Sequence, residues 1–163
     1  MIMFTNTTPI IALSSIGQLD LMPQLFGRVY VVDTVVNECA RGGKISVPDL
    51  KKLAWLERVE SKHYPHNPLL IALDDGEKHT IEAALAHKAD YAIIDEKLGR
   101  NLAEYLGLKV LGTLGILLKA KQQGKISSFI DCVRAMQVQG IRYNNQLVER
   151  LAVACGESVV VIH

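Results

Sequence analysis

The stretch from Leu73 to Arg100 constrains the fold more than any other part of the chain, because it contains a helix, a strand and an acidic residue in succession. Asp74 to Gly76 is typical of a turn that caps a helix, and apolar residues follow at helical spacing. Tyr91 to Ile94 is an apolar run of strand length that ends at Asp95. A helix followed by such a strand predicts the second half of a βαβ unit, and hence a parallel sheet. Ligand sites in such sheets lie beyond the carboxyl ends of the strands, where this pattern puts Asp95.

Two strand-to-helix passages precede this stretch and repeat its pattern. Met1 to Thr5 is short and apolar, and a polar break that begins at Asn6 leads into an apolar helix. Val29 to Val32 is a β-branched run that leads into a second helix, with Asp33 or the following threonine as its N-cap and Glu38 one turn further on. Asn6 and Glu38 are therefore expected near the same end of the sheet as the acid that closes the central stretch.

The rest of the chain supplies further helices and strands. The expected segments are a short helix at 19–25, a helical and then extended region at 49–60, an exposed connection at 61–68, a strand at 109–111, and helices at 98–106, 113–121, 127–138 and 144–154. The last apolar run, Ser158 to Ile162, predicts either an edge strand or a tail that packs on a partner. Four strand-to-helix passages with short connections predict an α/β sandwich with a mostly parallel sheet of four or five strands.

Length and composition favour one globular domain over residues 1–163, with about 127–163 as a helical extension. The 163 residues are 49% hydrophobic and 21% charged, and a net charge of +1 argues against a strongly basic nucleic-acid coat protein. The three cysteines are far apart and have no metal-ligand spacing, so free thiols are expected. No apolar run is long enough to span a bilayer and no leader pattern is present, so we expect no membrane partner and a cytoplasmic location.

The predicted sheet brings four polar residues from separate segments to one edge: Asn6, Glu38, Glu77 and Asp95. Carboxylates that lie close together repel one another, so such a cluster is costly unless a cation neutralises it. Mg²⁺ and Mn²⁺ are the natural cations, because they prefer oxygen ligands and also bind phosphate oxygens. A site of this kind suits phosphodiester hydrolysis, in which a metal ion activates water and stabilises the leaving oxygen.

Each of these residues also has a purely structural interpretation, since turns and first helical turns are rich in polar residues. Glu77 would simply complement its helix dipole, and Asp95 would cap the helix that begins near Lys97. Glu38 would lie on a solvated helix face, and Asn6 would be a turn former. Spacing alone does not decide between the two interpretations.

Basic residues near the predicted edge offer possible contacts to a nucleic-acid backbone. Lys78, Lys97 and Arg100 could each bind phosphates, although a solvated helix surface is an equally good interpretation. The aromatic side chains of Trp55 and Tyr91 are expected in the core rather than against bases. Four histidines show no convincing ligand spacing: His63, His66, His79 and His87.

Five sequence blocks, taken in order, resemble the PIN-domain superfamily, and in particular the branch related to VapC-type toxins. They are TNTTPIIAL, YVVDTVVNEC, LDDGEKHTIEAAL, ADYAIIDEKLGR and LKVLGTLGILLKAK, which together span most of the chain. The resemblance implies a three-layer α/β/α sandwich with a central parallel sheet and an acidic pocket for Mg²⁺ or Mn²⁺. It also implies cleavage of single-stranded RNA, neutralisation by a small antitoxin protein and a homodimer.

The resemblance assigns the four acidic positions of the family pattern to Asn6, Glu38, Glu77 and Asp95, as metal ligands and catalytic groups. Glu96 is an alternate for the last of these. Lys97, Arg100 and Thr113 would then contact or support the bound substrate. The departure from the pattern is the asparagine at position 6, where the family has an aspartate, because an amide offers an oxygen to a metal but carries no charge.

Three functions follow from these expectations. The leading one is a metal-dependent endoribonuclease of the toxin type that cleaves single-stranded RNA. Its alternative is a catalytically degraded PIN-like module that binds RNA or a partner protein without cleavage, which the asparagine favours. A phosphoacceptor receiver domain is disfavoured, because it needs a pair of acids after the first strand, where Asn6 and Thr7 stand.

Overall fold

A parallel five-stranded sheet forms the centre of the computed structural model, which describes residues 1–159. Its strands are β1 (Met3–Thr5), β2 (Val29–Val32), β3 (Leu56–Val59), β4 (Tyr91–Ile93) and β5 (Val110–Leu111). They are arranged in the order β3-β2-β1-β4-β5, and all four neighbouring pairs are parallel. From β1, the strands β2 and β3 extend the sheet on one side, and β4 and β5 then extend it on the other side. Such a reversal between β1 and β4 opens a crevice at the carboxyl ends of these two strands.

Helices flank this sheet and complete a three-layer α/β/α sandwich, as predicted. They are α1 (Thr7–Ser15), α2 (Leu21–Phe26), α3 (Asp33–Ala40), α4 (Asp75–Ala86), α5 (Lys97–Tyr105), α6 (Thr113–Gln122), α7 (Phe129–Val138) and α8 (Asn145–Ala154). Short 3-10 turns lie at Leu50–Lys52, Ser61–His63 and Pro68–Leu70. The long crossover helix α4 packs against β1, β2 and β4, and α7 packs against both α6 and α8. Within residues 1–159, no helix is long and apolar enough to cross a membrane.

The strands are short, and those at the centre are buried because their side chains are apolar on both faces. Met3 and Phe4 of β1 are fully buried, as are Ala92 and Ile93 of β4. Near-continuous apolar runs of this kind are typical of parallel strands covered by helices on both sides. The core of the sheet is therefore built mainly from the few residues of these central strands.

Helix starts differ in detail from the sequence-based expectations. Val32, rather than Asp33 or Thr34, is the N-cap of α3, and Asp33 is its first residue. The carboxylate of Asp33 instead accepts a hydrogen bond from the Ser61 N–H at 2.9 Å, which ties the connection after β3 to the start of α3. The prediction for Ser158 to Ile162, an edge strand or a tail that packs on a partner, is not tested, because residues 160–163 lie outside the described residues; Ser158 and Val159 belong to no strand.

Glu157 fastens the end of the described chain to the start of α7. Its carboxylate accepts hydrogen bonds from the N–H groups of Phe129 at 2.6 Å and Ile130 at 2.9 Å, and the Lys121 ammonium lies 3.1 Å away. Burial tends to raise the pKa of Glu157, but these donors outweigh it and lower the pKa below the ordinary value. An acid that caps a helix start in this way stabilises both segments.

We expect Glu157→Gln to lower the free energy of unfolding by about 1–3 kcal/mol, because the amide loses the charge that these donors stabilise. Chemical denaturation measures the loss, with Glu104→Gln on the exposed surface of α5 as the matched control. Since the folded-state pKa is lowered, the contribution is complete above the ordinary value of 4.5 and disappears as the pH falls through the folded-state value. Equal stability of the two variants at neutral pH would show that Glu157 is not an anchor.

Candidate functional site

Asn6 lies at the crevice between β1 and β4, directly after β1. Its backbone N–H donates to the Ile93 carbonyl at 3.0 Å, which extends the β1–β4 pairing by one residue. The side chain is only 3% exposed, and its Oδ1 has no hydrogen-bond partner within the part of the chain that the structure describes. A buried carbonyl oxygen without a partner costs about 1–3 kcal/mol. Such an atom is suited to a cation ligand, because a cation would supply the missing interaction.

Glu38 reaches the same end of the sheet from α3. Its Oε2 accepts a hydrogen bond from the Thr7 hydroxyl at 2.6 Å, which joins α3 to the first residue of α1. Its carboxylate also packs directly over the Cα of Gly76, where a β-carbon would collide with Glu38 Oε1. Gly76 therefore leaves the space that lets the Glu38 carboxylate lie against the start of α4.

Glu77 is the most deeply buried acid at this edge, with an exposed fraction of 5%. It is the third residue of α4, and its N–H donates to the N-cap Asp74 at 2.9 Å. Its carboxylate lies against Gly99 of α5, whose lack of a side chain leaves room for it. Burial raises the pKa of Glu77 to about 7, and the negative charges of Asp74, Glu96 and Glu38 add to the rise. The acids of this edge therefore destabilise one another in the absence of a cation.

Asp95 follows β4 and makes contacts that the sequence did not predict. Its Oδ1 accepts from the Thr113 N–H and its Oδ2 from the Thr113 hydroxyl, each at 2.7 Å. Asp95 thus caps α6, which begins at Thr113, rather than the helix that begins near Lys97. A carboxylate has about four lone-pair sites, so two hydrogen bonds still leave it able to bind a cation. The prediction that Asp95 is a ligand is neither confirmed nor contradicted by this geometry.

Glu96, the alternate for Asp95, is exposed and is the N-cap of α5, although its side chain makes no capping hydrogen bond. Its charge contributes to the raised pKa of Glu77, whereas Asp95 is not among the causes of that shift. No lysine or arginine of residues 1–159 forms a salt bridge with Glu38, Glu77, Asp95 or Glu96. We call these residues, together with Asn6, the acidic edge. Its carboxylates have no direct salt bridge within the described residues, and the guanidinium of Arg100 lies beside Asp95.

A cleft of about 480 Å³ opens beside Asp95 and contains the predicted substrate-binding residues Lys97 and Arg100. Arg100 and Asp95 both approach Gly112, since a β-carbon there would lie 2.9 Å from Arg100 Nη1 and 3.0 Å from Asp95 Oδ1. Thr113, the third predicted residue, is fully buried and supports the cleft through Asp95 rather than lining it. Two basic side chains beside an acidic edge suit a phosphate backbone that runs past a metal site.

Tyr143 was not predicted as a site residue, but it lines the same cleft. Its buried hydroxyl has no hydrogen-bond partner in residues 1–159. Burial raises the pKa of Tyr143, the charge of Asp95 adds to the rise, and the nearby Thr113 hydroxyl opposes it. Tyr143 and the neighbouring Arg142 come from the loop before α8, so no local pattern around Asp95 could have indicated them.

Within residues 1–159, one group of three His, Cys, Asp or Glu side chains brings its donor atoms close enough together to share a metal ion, and the predicted acids Glu38, Glu77 and Asp95 are not part of it. His66, His79 and Glu82 each place one donor atom within 4.8 Å of the others. The spacing of the histidines in the sequence predicts no metal site, because His66 belongs to the connection before α4. The signal that was available is the spacing of His79 and Glu82, three residues apart on one helix, which puts both on the same face.

The comparisons with known proteins agree with this architecture. A family model described as a PIN domain, DUF3368, matches residues 2–157. The searches of curated proteins and of solved structures gave no match. The family match covers nearly the whole chain, and the parallel sheet with acids at its carboxyl edge is consistent with it. The chain therefore belongs to the PIN-domain family.

Proposed function

We propose that this protein is a metal-dependent endoribonuclease of the VapC toxin type that cleaves single-stranded RNA. The observation that carries the proposal is the buried Asn6 Oδ1, which has no partner within residues 1–159 at the edge where Glu38 and Glu77 also lie. All the donors at this edge are oxygens, which fits Mg²⁺ or Mn²⁺. Asn6, Glu38, Glu77 and Asp95 would hold the ion, with Glu96 as the alternate for Asp95.

The chain's own residues have distinct roles in this proposal. When bound, a divalent ion would lower the pKa of a water and stabilise the leaving oxygen of the phosphodiester. Thr7 holds the Glu38 carboxylate through its hydroxyl, and Thr113 holds Asp95 through two hydrogen bonds. Lys97 and Arg100 would position the RNA backbone along the cleft by binding its phosphates.

Incubation of labelled single-stranded RNA with the purified chain in Mn²⁺, Mg²⁺ or EDTA tests this function. We expect cleavage with either metal and none in EDTA. A Glu38→Gln variant should lose at least about 100-fold in rate, because several kcal/mol of metal-dependent stabilisation depends on the ligand set. Cleavage that persists in EDTA, or that is unchanged in Glu38→Gln, would exclude the proposed mechanism and suggest a contaminating nuclease.

The second candidate function is a PIN-like module that binds RNA or a partner protein without cutting it. Asn6 favours this candidate, because the amide supplies one negative charge less than the aspartate of the family pattern. The same cleavage assay distinguishes the two functions, and an RNA-binding titration identifies the second if no product forms.

Asn6→Asp is expected to increase metal affinity, and with it cleavage at limiting metal, by about tenfold, which corresponds to about 1.4 kcal/mol of added attraction. The reason is that a carboxylate replaces an unpartnered amide oxygen at the same buried position. A metal titration of the cleavage rate measures the change, with Asn101→Asp on the exposed surface of α5 as the control. Activity that appears only in Asn6→Asp would establish the non-cleaving module, and no change in metal dependence would place the ion away from residue 6.

The proposal includes two protein partners, a second copy of this chain and a small antitoxin. The α7 and α8 pair carries the exposed apolar side chains of Val138 and Val153, which suit a protein contact. We expect a homodimer that uses this surface in the cytoplasm, and an antitoxin that covers the acidic cleft. Light scattering at micromolar concentration tests the dimer, and a monomer mass would contradict it.

A further inference from the structure

We propose that His66, His79 and Glu82 form a binding site for a zinc-class transition-metal ion, separate from the acidic edge. We call these three residues the His66 site. Their donor atoms lie within 4.8 Å of one another, and they come from two segments, the connection before α4 and α4 itself. Two imidazoles and one carboxylate are a common zinc ligand set, which leaves a fourth position for water or another ligand.

The carboxylate of Glu82 is positioned before any ion binds. Glu82 is only 4% exposed, and its Oε2 accepts a hydrogen bond from the Asn67 N–H at 2.6 Å. Its other oxygen, Oε1, lies 3.4 Å from Nδ1 of His66. A buried carboxylate is stable only when it is paired or bound to a metal. A metal ion at this point would neutralise the negative charge of Glu82. The His66 ring can do so only in its charged form.

His79 is also held in a defined orientation. Its Nδ1 lies 2.6 Å from the Thr34 hydroxyl of α3. In the tautomer whose Nδ1–H donates to this hydroxyl oxygen, Nε2 has a lone pair free for an ion. Metal-bound histidines usually have their second nitrogen held by such a partner, which fixes the ring and its tautomer. The ring of His66 approaches that of His79, with centroids 6.3 Å apart.

One pair of the donors already has the spacing that a tetrahedral ion requires. Ligand atoms that are each about 2.0–2.1 Å from zinc lie about 3.4 Å apart in a tetrahedron. His66 Nδ1 and Glu82 Oε1 already have a separation of 3.4 Å. A cleft of about 440 Å³ is lined by His66, Asn67 and Glu82 but not by His79, so it gives solvent access to two of the three donors.

The donor chemistry distinguishes the His66 site from the acidic edge. The acidic edge offers only oxygens, which favour Mg²⁺ and Mn²⁺, whereas two imidazoles favour zinc and its neighbours in the transition series. The carboxylate of Glu77 lies against Gly99 of α5, whereas His79 contacts Thr34 of α3. The Thr34–His79 contact is on the same α3–α4 interface as the contact of Glu38 with Gly76, one helical turn away. An ion at the His66 site would fasten the connection at residues 61–70 to α4, whether or not the protein cleaves RNA.

Competition with a chromophoric chelator, using the untagged full chain at neutral pH, tests the His66 site. We expect one zinc ion to bind, and the affinity to fall at least about tenfold in His66→Gln. The matched control is His63→Gln, which removes another exposed histidine from the same connection but is outside the group. Because the His66 side chain is 77% exposed, its substitution leaves the fold intact. Unchanged affinity in His66→Gln would overturn the proposal.

Two further measurements separate the His66 site from the acidic edge. Co²⁺ bound to the His66 site should give the visible absorption of tetrahedral cobalt. We expect this absorption in native protein and in Glu38→Gln, and we expect its loss in His66→Gln and in Glu82→Gln. Zinc should raise the unfolding temperature of native protein and His63→Gln, but not that of His66→Gln. Zinc binding that disappears in Glu38→Gln and persists in His66→Gln would assign the ion to the acidic edge instead.

Discussion

Replacing Glu77 with glutamine is expected to abolish metal-dependent cleavage and, at the same time, to make the metal-free protein more stable. The loss of cleavage should be at least about 100-fold, because the variant removes a buried carboxylate that we propose as a metal ligand. Stability should rise because the pKa of Glu77 is raised to about 7, so ionisation of this side chain opposes folding at neutral pH. A folded-state pKa that is about 2.5 units above the ordinary 4.5 corresponds to as much as about 3 kcal/mol.

The sign of this effect gives it a clear pH dependence. In EDTA, native protein should lose stability relative to Glu77→Gln as the pH rises from 4.5 to about 7, and the two should converge below 4.5, where Glu77 is protonated in both states. Denaturant titrations across this range measure the difference. Asp75→Asn is the matched control, because Asp75 is an exposed acid in the same helical turn. A Glu77→Gln variant that is less stable than native protein at neutral pH would show that this carboxylate has a partner that stabilises it.

Gly76→Ala is expected to reduce metal affinity and cleavage by about 10–100-fold without unfolding the protein. A β-carbon at position 76 would occupy the space of the Glu38 carboxylate, which must then move away from the start of α4. The backbone there is helical, and alanine is preferred over glycine in a helix by as much as about 1 kcal/mol, so stability should hold or improve.

Gly43→Ala is the control for this substitution. Gly43 lies in the loop after α3, where a β-carbon would meet nothing within 4 Å. Isothermal titration with Mn²⁺, together with the cleavage rate, compares the two variants. Full metal affinity in Gly76→Ala would mean that the position of the Glu38 carboxylate is irrelevant to the ion, and Glu38 would then have only its structural role beside Thr7.

The sequence predicted the sheet well because its central strands are continuous apolar runs, which helices must cover on both faces. The edge strand β3 was less clear, since Glu57 and Arg58 are exposed in the middle of it and only Leu56 is buried. A strand with one neighbour needs little apolar surface, so its periodicity is weak. The same reasoning predicts Asn6, Glu38, Glu77 and Asp95 at one edge, because parallel strands end on the same side, and their roles as metal ligands stay predictions.

Contacts between distant segments were not accessible from the sequence. Thr113, 18 residues further along the chain, donates hydrogen bonds to both carboxylate oxygens of Asp95. Tyr143 lines the same cleft from the loop before α8. The His66 site needs the connection before α4 to fold back onto that helix, which periodicity cannot show. Local patterns therefore indicated which residues lie at the edge of the sheet, but not which groups hydrogen-bond to the carboxylate oxygens of each acid.

Anomalous diffraction from crystals soaked in Mn²⁺ tests the central claim most directly, because it locates the ion independently of activity. The proposal predicts a peak within coordination distance of Asn6 Oδ1 and of the carboxylates of Glu38 and Glu77, with either Asp95 or Glu96 completing the set. Collecting the same data from Glu77→Gln crystals should remove the peak. Fully soaked native crystals with no manganese at this edge would contradict the account, and the acids would then be helix-capping and structural groups alone.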